Sequence, residues 1–324
     1  MHRARLVAAA AVAAFGVFAG SANAATTPVT RGVVLVTTNL AYENANAAGT
    51  GIVLTSTGEI LTNNHVIRGA TTITVIVPAT GRRYNATAVG YDISDDIAVL
   101  KLDGAKGLAT ATTGNSAKLK IGAATTAVGN AEGVGHLVIT KGRVTGLNRS
   151  ITVSEELEGS RQMRGLIRTS ARLVPGDSGG PLLDANGRVI GIDAAGSANY
   201  RFTASDGYAI PINRAISITR QIEQGRASAL VHIGKTAFIG LSVIAADTGG
   251  LTVEATVPGM PAEAAGLVAG DTVLALDGQT VDTVAALRAA LFAHHPGDSV
   301  VVTYLDSAAQ QQTATIVLAD GPPA

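Results

Sequence analysis

Three segments that lie far apart in the sequence carry the residue types needed for nucleophilic catalysis. Ser178 lies in the segment VPGDSGGPL, His65 in ILTNNHVI, and Asp96 in DDIAVL. A serine hydroxyl is a weak nucleophile at its free pKa and needs a neighbouring base, and that base needs a carboxylate to orient it. The order His, Asp, Ser along the chain therefore indicates acyl transfer through a serine nucleophile.

The glycines around Ser178 are compatible with this chemistry. Small neighbours let a carbonyl group approach, and two backbone N–H groups that converge on one oxygen form an oxyanion hole. The N–H groups of Gly176 and Ser178 are the candidates. The alternative is a surface turn without chemistry, since Gly, Asp and Ser all favour turns. The histidine and aspartate segments upstream argue against that alternative.

Together the three segments resemble the HtrA/Deg family, the trypsin-like serine proteases that carry a PDZ domain. The resemblance covers nearly all of the chain after its N-terminal segment. It implies a serine endopeptidase with the triad His65, Asp96 and Ser178, an acyl-enzyme intermediate, and no metal or organic cofactor. It also implies two six-stranded β-barrels, with His65 and Asp96 on the first and Ser178 on the second.

The sequence departs from the family at Asp177, where the family usually has Asn. A buried carboxylate needs a cationic partner or several hydrogen bonds, or its pKa rises. We expect an arginine from a neighbouring loop, Arg143, Arg168 or Arg172, to neutralise it.

Two further assignments near the candidate site depend on local context. We assign Asp96 rather than Asp95 to orient the histidine, because Asp96 directly precedes an apolar strand and matches the family's aspartate. The segment 172–174 and the loop 194–208 are expected to frame the primary side-chain pocket. The family prefers small aliphatic residues there, but Arg172 would favour an acidic or polar side chain if it pointed inward.

Composition limits the class of protein. A chain of 324 residues predicts roughly two domains. Hydrophobic residues make up 47% but aromatic residues only 3%, so the cores must consist of Val, Ile, Leu and Ala. Lys plus Arg equal Asp plus Glu at 24 each, which gives no net field to attract nucleic acid. The absence of Cys excludes disulfides, thiol catalysis and cysteine-ligated metals.

The N-terminal residues 1–24 are predicted to be a secretory signal peptide. A basic start precedes an apolar run, and Ala22-Asn23-Ala24 follows as a cleavage motif. The run is shorter than the ~20 residues that span a bilayer, although an uncleaved anchor is the alternative. We expect export to the bacterial periplasm, cell envelope or extracellular space.

Residues 25–222 are predicted to form a mainly β protease domain. Short β-branched runs bounded by turn residues indicate antiparallel strands, at 33–36, 51–55, 73–77, 97–102 and 189–192. Isoleucines near helical spacing predict an amphipathic helix that closes the domain over 212–222. A linker is expected over 223–235.

Residues 236–322 resemble a bacterial α+β PDZ domain. The motifs PGMPA, AGL and GDTVLALDG follow one another, then a helix over about 283–292 and a last strand near 313–318. The resemblance implies that the loop Phe238, Ile239, Gly240, Leu241 offers backbone N–H groups to a peptide's C-terminal carboxylate. The peptide would add as a strand to a sheet edge. An ordinary strand start in a small α+β domain is the alternative.

These features predict unfolded proteins, peptides and peptide C-termini as partners, with no nucleic acid. The main hypothesis is an envelope protease for damaged proteins. The alternatives are a dedicated signalling protease and a non-catalytic chaperone or adaptor that acts through the PDZ domain. A homotrimer is known in the family, but the short segment before the first strand contains no aromatic residue to support it.

Overall fold

The computed structural model describes residues 29–155, 159–194, 207–246 and 249–324. The predicted signal peptide and most of the predicted pocket loop lie outside these residues. Among the described residues, no helix has both the length and the apolar character needed to cross a membrane.

The first unit is a closed six-stranded barrel. Strands β3 and β6 pair with each other, and β5 closes the ring by pairing with both β4 and β6. Its interior is filled mainly by β-branched and aliphatic side chains, together with the buried Tyr91. A single helical turn, α1 (Asn64–Ile67), follows β3. The strands are β1 (Val33–Leu40), β2 (Ala45–Val53), β3 (Glu59–Thr62), β4 (Thr72–Val77), β5 (Arg82–Asp92) and β6 (Ile97–Leu102).

The second unit is also a closed six-stranded barrel, with strand order β10-β11-β12-β9-β8-β7. The long hairpin of β8 and β9 shifts register at several points, which bends it around the barrel. The strands are β7 (Ala124–Gly129), β8 (Val138–Glu155), β9 (Gly159–Thr169), β10 (Pro181–Leu183), β11 (Val189–Asp193) and β12 (Gly207–Pro211). The predicted double barrel is confirmed.

Helix α2 (Ile212–Glu223) packs where the two barrels meet. Its buried face includes Ile212, Ile218 and Ile222, which belong to one apolar cluster with Leu61 of the first barrel and Leu166 of the second. The predicted amphipathic helix is confirmed, and its role is to fix the barrels against each other.

The predicted linker contains a strand that the sequence did not indicate. Strand β13 (Val231–Ile233) pairs antiparallel with residues 90–92 of β5, so it extends the sheet of the first barrel. Three residues are too few to show a periodic pattern. The predicted linker, residues 223–235, therefore includes a short strand.

The C-terminal unit is an α+β domain, as predicted. Its main sheet has the order β15-β16-β17-β19-β20, so β15 is an edge strand, and α4 begins with a Thr283 side-chain cap. Strand β14 pairs instead with β21. The elements are β14 (Thr236–Phe238), β15 (Leu241–Ala245), β16 (Leu251–Thr256), α3 (Pro261–Ala264), β17 (Thr272–Leu276), β18 (Gln279–Thr280), α4 (Val284–Phe292), β19 (Ser299–Leu305), β20 (Gln311–Val317) and β21 (Ala319–Gly321).

Candidate active site

His65 and Asp96 are held together by two hydrogen bonds. Asp96 Oδ2 lies 2.7 Å from His65 Nδ1, and Asp96 Oδ1 accepts the His65 backbone N–H at 2.9 Å. Asp96 is fully buried and adopts a left-handed φ of 55°, a conformation that Asp tolerates better than most residues. Since a carboxylate only accepts hydrogen bonds, Nδ1 of His65 carries the proton.

The neighbouring polar residues fix this pair. The Asn63 side-chain amide donates to the Asp96 carbonyl at 2.8 Å. Asp95 points elsewhere, since its carboxylate pairs with Arg214 of α2 at 3.1 Å. Asp92 accepts the Asp95 N–H and the Ser94 hydroxyl, which shapes the turn before β6. Of the three aspartates, the structure brings only Asp96 to His65.

Ser178 lies in a tight turn between β9 and β10, which we call the nucleophile turn (residues 174–180). The N–H of Asp177 donates to the carbonyl of Val174, and the N–H of Gly180 donates to the carbonyl of Asp177. Gly176 has a φ of 97°, and a Cβ there would lie 2.1 Å from the carbonyl oxygen of Asn130. Glycine is therefore required at 176 both for conformation and for space.

Thr50 of β2 attaches the nucleophile turn to the first barrel. Its hydroxyl donates to the Gly176 carbonyl at 2.8 Å and accepts the Asn130 N–H at 2.9 Å. Its own backbone N–H donates to the Ser178 carbonyl at 2.8 Å. The Thr62 hydroxyl supports it by donating to the Thr50 carbonyl at 2.7 Å.

The same strand brings Ser178 close to the helical turn that carries His65. A Cβ placed on Gly49 would lie 2.7 Å from the Val66 side chain and 3.2 Å from the Ser178 carbonyl oxygen. Val66, which follows His65, and the backbone of Ser178 therefore both lie beside Gly49 of β2.

The two predicted oxyanion-hole donors belong to this turn. Within the part of the chain that the structure describes, no acceptor bonds the N–H of Gly176. The preceding carbonyl, that of Pro175, accepts the N–H of Glu132, which holds the peptide plane in place. This arrangement is compatible with a Gly176 N–H that receives an external oxygen.

Asp177 lacks the arginine partner that we expected, so that expectation was wrong. The carboxyl is 5% exposed, and its Oδ2 accepts the Val174 N–H at 2.9 Å. Among the described residues no cation pairs with it: Arg143 bonds the Gly122 carbonyl and Arg168 bonds Thr145. Burial instead raises the pKa of Asp177 to about 6.

A second buried carboxyl, Asp193, lies at the end of β11 beside the nucleophile turn. It is fully buried, and neither of its carboxyl oxygens has a hydrogen-bond partner among the residues that the structure describes. Burial raises the pKa of Asp193 well above its usual value, and the nearby Asp177 raises it further. The sequence analysis did not single out this residue.

The framing of the primary side-chain pocket is only partly described. A Cβ on Gly207 would lie 2.7 Å from Leu173, so the start of β12 packs against the predicted pocket segment. Arg172 is exposed. Residues 195–206 of the predicted pocket loop lie outside the described residues, and the side-chain preference of the pocket stays a prediction.

The C-terminal domain has a groove between its edge strand β15 and helix α4. The groove, of about 490 Å³, is lined by Leu241, Val243, Leu287 and Leu291 and extends toward Tyr42 of the first barrel. Its apolar walls and open strand edge are the features that peptide addition requires.

The loop predicted to bind a carboxylate lies at one end of this groove. The carbonyl oxygens of Ile239 and Gly240 are occupied by backbone N–H groups of Ala262 and Val257. In the described part of the chain, the N–H groups of Ile239 and Gly240 have no acceptor. Phe238 instead stacks on Tyr42 with ring centroids 5.2 Å apart, and Leu241 begins β15.

The histidines outside the site have structural surroundings. His232 stacks on Tyr91 and lies near Phe292 and His295. His294 lies 3.4 Å from the carboxylate of Asp277. The described residues contain no group of three or more His, Cys, Asp or Glu residues arranged to hold a metal ion.

Comparison with known proteins decides the family. The family model for the trypsin-like peptidase domain matches residues 49–192, and the family model for the PDZ domain matches residues 237–317. The serine protease Do-like HtrA of Lactococcus lactis subsp. cremoris is 31% identical over 277 residues, which cover 80% of this chain and 68% of that protein. The chain belongs to the HtrA family of serine proteases.

Other HtrA proteins have similar sequences and structures. A probable periplasmic serine endoprotease DegP-like of Halomonas elongata is 34% identical over 86% of this chain and 58% of its own length. The solved structure of the HtrA-type protease AlgW with a tripeptide superposes with a TM-score of 0.52 at 28% identity, covering 92% of this chain and 97% of that one. The chain spans less than two thirds of the Halomonas protein.

Two residues near the HtrA site were missed from sequence: Thr50 and Asp193. One signal was present for Thr50, because it stands between Gly49 and Gly51 inside a strand. Glycine inside a strand often marks a close approach of another backbone. No comparable pattern marks Asp193.

Proposed function

We propose that this protein is an exported serine endopeptidase that cleaves unfolded or damaged proteins through an acyl-enzyme. The observation that carries the proposal is the doubly bonded His65–Asp96 pair, beside which Thr50 holds the turn of Ser178. Membership of the HtrA family supports it.

The proposed roles follow from this geometry. Nδ1 of His65 is hydrogen-bonded to Asp96, so Nε2 is the nitrogen that takes the proton of Ser178. Ser178 attacks the peptide carbonyl, and the N–H groups of Gly176 and Ser178 stabilise the negative oxygen. His65 then protonates the leaving amine while Asp96 stabilises the imidazolium, and water hydrolyses the acyl-enzyme.

The C-terminal domain is proposed to capture extended peptides or C-termini in the groove beside β15. The N–H groups of Ile239 and Gly240 would bind the terminal carboxylate. Capture on the same chain raises the effective concentration of substrate at the active site. The HtrA-type neighbour solved with a tripeptide and the periplasmic name of the Halomonas relative support peptide substrates and an envelope location. Homotrimer assembly is a further expectation, tested by light scattering.

Casein digestion tests the proposal. We expect wild-type protein to digest casein and to react at Ser178 with a fluorophosphonate, and Ser178→Ala to do neither. Equal digestion by both proteins would reject the protease and leave a chaperone or adaptor. A screen with C-terminal peptides separates broad degradation from a single dedicated partner.

A matched pair of aspartate variants tests the triad. Asp96→Asn should lower kcat by on the order of 10⁴-fold, since the histidine tautomer is no longer fixed. Asp95→Asn, which only loses the Arg214 pair, should keep most of the activity. The reverse result would show that the wrong aspartate has been assigned.

A further inference from the structure

Asp193 is a carboxyl group for which the proposed mechanism has no use. It is fully buried, and within the described part of the chain its two oxygens have no hydrogen-bond partner and no cation pairs with it. An ionised carboxylate in such a place is strongly disfavoured, because nothing replaces the water that it has lost. The geometry alone therefore favours a neutral, protonated carboxyl.

The backbone of Asp193 holds the two residues that follow the nucleophile. Its N–H donates to the Gly180 carbonyl at 2.8 Å, and its carbonyl accepts the Gly179 N–H at 2.9 Å. Gly179 also packs tightly against β2, since a Cβ there would lie 2.1 Å from the Thr50 carbonyl oxygen. A displacement of Asp193 would consequently be transmitted to Ser178.

One acidic residue that can carry the same negative charge, Asp177, acts on Asp193 from the elements packed around it. The nucleophile turn contributes Asp177, whose carboxyl packs against β7 at Gly129. Strand β12 places Ala209 opposite Asp193 and Tyr208 next to it, and the Tyr208 carbonyl accepts the Ala194 N–H. Among the described residues, the charge that acts on Asp193 is that of Asp177.

We infer that Asp193 is a positioning residue that is protonated at neutral pH, and that it keeps the nucleophile turn in its reactive arrangement only while it is uncharged. The inference rests on the proposed function, because positioning the serine matters only in an enzyme. Loss of the proton would place two negative carboxylates behind Ser178. Their repulsion would act on the turn through Gly179 and Gly180, and the added charge would oppose the negative oxygen of the intermediate.

An infrared experiment tests the protonation without requiring activity. Ser178→Ala protein at neutral pH should show the carbonyl stretch of a protonated carboxylic acid, and the band should be absent from the Ser178→Ala, Asp193→Asn double variant. Asp103, an exposed aspartate, supplies the control, since Asp103→Asn should keep the band. An identical band with and without Asp193 would overturn the inference.

A pH profile tests the positioning role. The kcat/KM of the wild type should fall on the alkaline side as Asp193 ionises, and this fall should be absent in Asp193→Asn, whose amide stays neutral. Asp177→Asn should move the fall to lower pH, because it removes the like charge. The same alkaline fall in wild type, Asp103→Asn and Asp193→Asn would contradict the inference.

The two measurements separate this inference from the proposed function. If the wild type hydrolyses no substrate, the proposed function fails, while the infrared band still decides whether Asp193 is protonated. If Asp193→Asn does not fold, Asp177→Asn in the Ser178→Ala background replaces it. The band should then disappear at a lower pH than in Ser178→Ala alone, and an unchanged midpoint would reject the coupling.

Discussion

Thr50 shows how much of the site depends on one hydroxyl group outside the triad. It donates to Gly176 and accepts from Asn130, and all three groups are buried. Removing the hydroxyl leaves a buried carbonyl and a buried N–H without a partner, each at a cost of about 1–3 kcal/mol. The Gly176–Asp177 peptide plane would then lose this attachment to the first barrel.

We therefore expect Thr50→Val to lower kcat by roughly 10- to 100-fold, since a misplacement of about 1 Å in a catalytic group can cost 10²-fold. Thr50→Ser keeps the hydroxyl and should retain most of the activity. The measurement is peptide hydrolysis, with fluorophosphonate labelling as a second readout of Ser178 reactivity. Equal kcat in Thr50→Val and Thr50→Ser would contradict the positioning role.

The raised pKa of Asp177 predicts how stability depends on pH. Its folded-state pKa of about 6 lies above the usual aspartate value of 3.8, so between these values the native state binds more protons than the unfolded state. Stability therefore falls as pH rises through this window. A shift of about 2 units corresponds to roughly 3 kcal/mol.

Asp177→Asn should remove this dependence, because the amide does not titrate. In the Ser178→Ala background, which prevents self-cleavage, the variant should be more stable than its parent above the pKa of Asp177 and similar to it in acid. Urea unfolding at acidic and neutral pH measures the difference. The prediction would be contradicted if the parent, relative to Asp177→Asn, became more stable between acidic and neutral pH.

Sequence motifs identified the candidate catalytic residues but not the residues that hold them in place. His65, Asp96 and Ser178 each stand in a short motif whose neighbouring residues also fit the proposed chemistry. Thr50 and Asp193 act through contacts with residues distant in sequence, and Thr50 lies 126 positions from Gly176. The arginine expected at Asp177 was wrong for a different reason: the protein raises the pKa of this buried carboxyl instead of pairing it.

Among the secondary-structure elements, the edge strand β15 and the loop before it depend on one glycine. Gly240 has a φ of 81°, and a Cβ there would lie 2.4 Å from the Cβ of Met260. A non-glycine residue in this conformation costs roughly 1–2 kcal/mol, before the contact with Met260 is added. The N–H groups proposed to bind a carboxylate lie at this position.

Gly240→Ala should weaken binding of a peptide with a free C-terminus by about tenfold or more, which is about 1.4 kcal/mol. Gly259→Ala is a matched control, since Gly259 also has a positive φ but a Cβ there meets nothing within 4 Å. Fluorescence anisotropy in the Ser178→Ala background measures binding, and the amidated peptide tests the carboxylate. Equal affinity in both variants, or equal binding of both peptides, would remove the loop from the proposed site.

For the molecule as a whole, the family resemblance predicted both barrels and the PDZ domain but not how these units meet. The fully buried Tyr91 of β5 bonds the hydroxyl of Thr236 at 3.0 Å and accepts the Ala324 N–H at 3.2 Å. The Asn64 side chain, one residue before His65, donates to the Ala324 carbonyl at 2.9 Å. These residues are up to 260 positions apart, so no local pattern could have indicated the contact.

This contact places the end of the C-terminal unit against the helical turn of His65, so we expect Tyr91→Phe to loosen that turn. The variant loses one hydroxyl with two partners, and each lost hydrogen bond costs about 1 kcal/mol. Hydrogen exchange should become faster at Asn64–Ile67 and at β14, while the second barrel keeps its protection. Tyr84→Phe, on the same strand β5 but away from the contact, is the control and should leave exchange at α1 unchanged. Unchanged exchange in Tyr91→Phe would mean that the contact does not stabilise the helical turn. Faster exchange confined to β14 would mean that it holds the C-terminal unit without influencing His65.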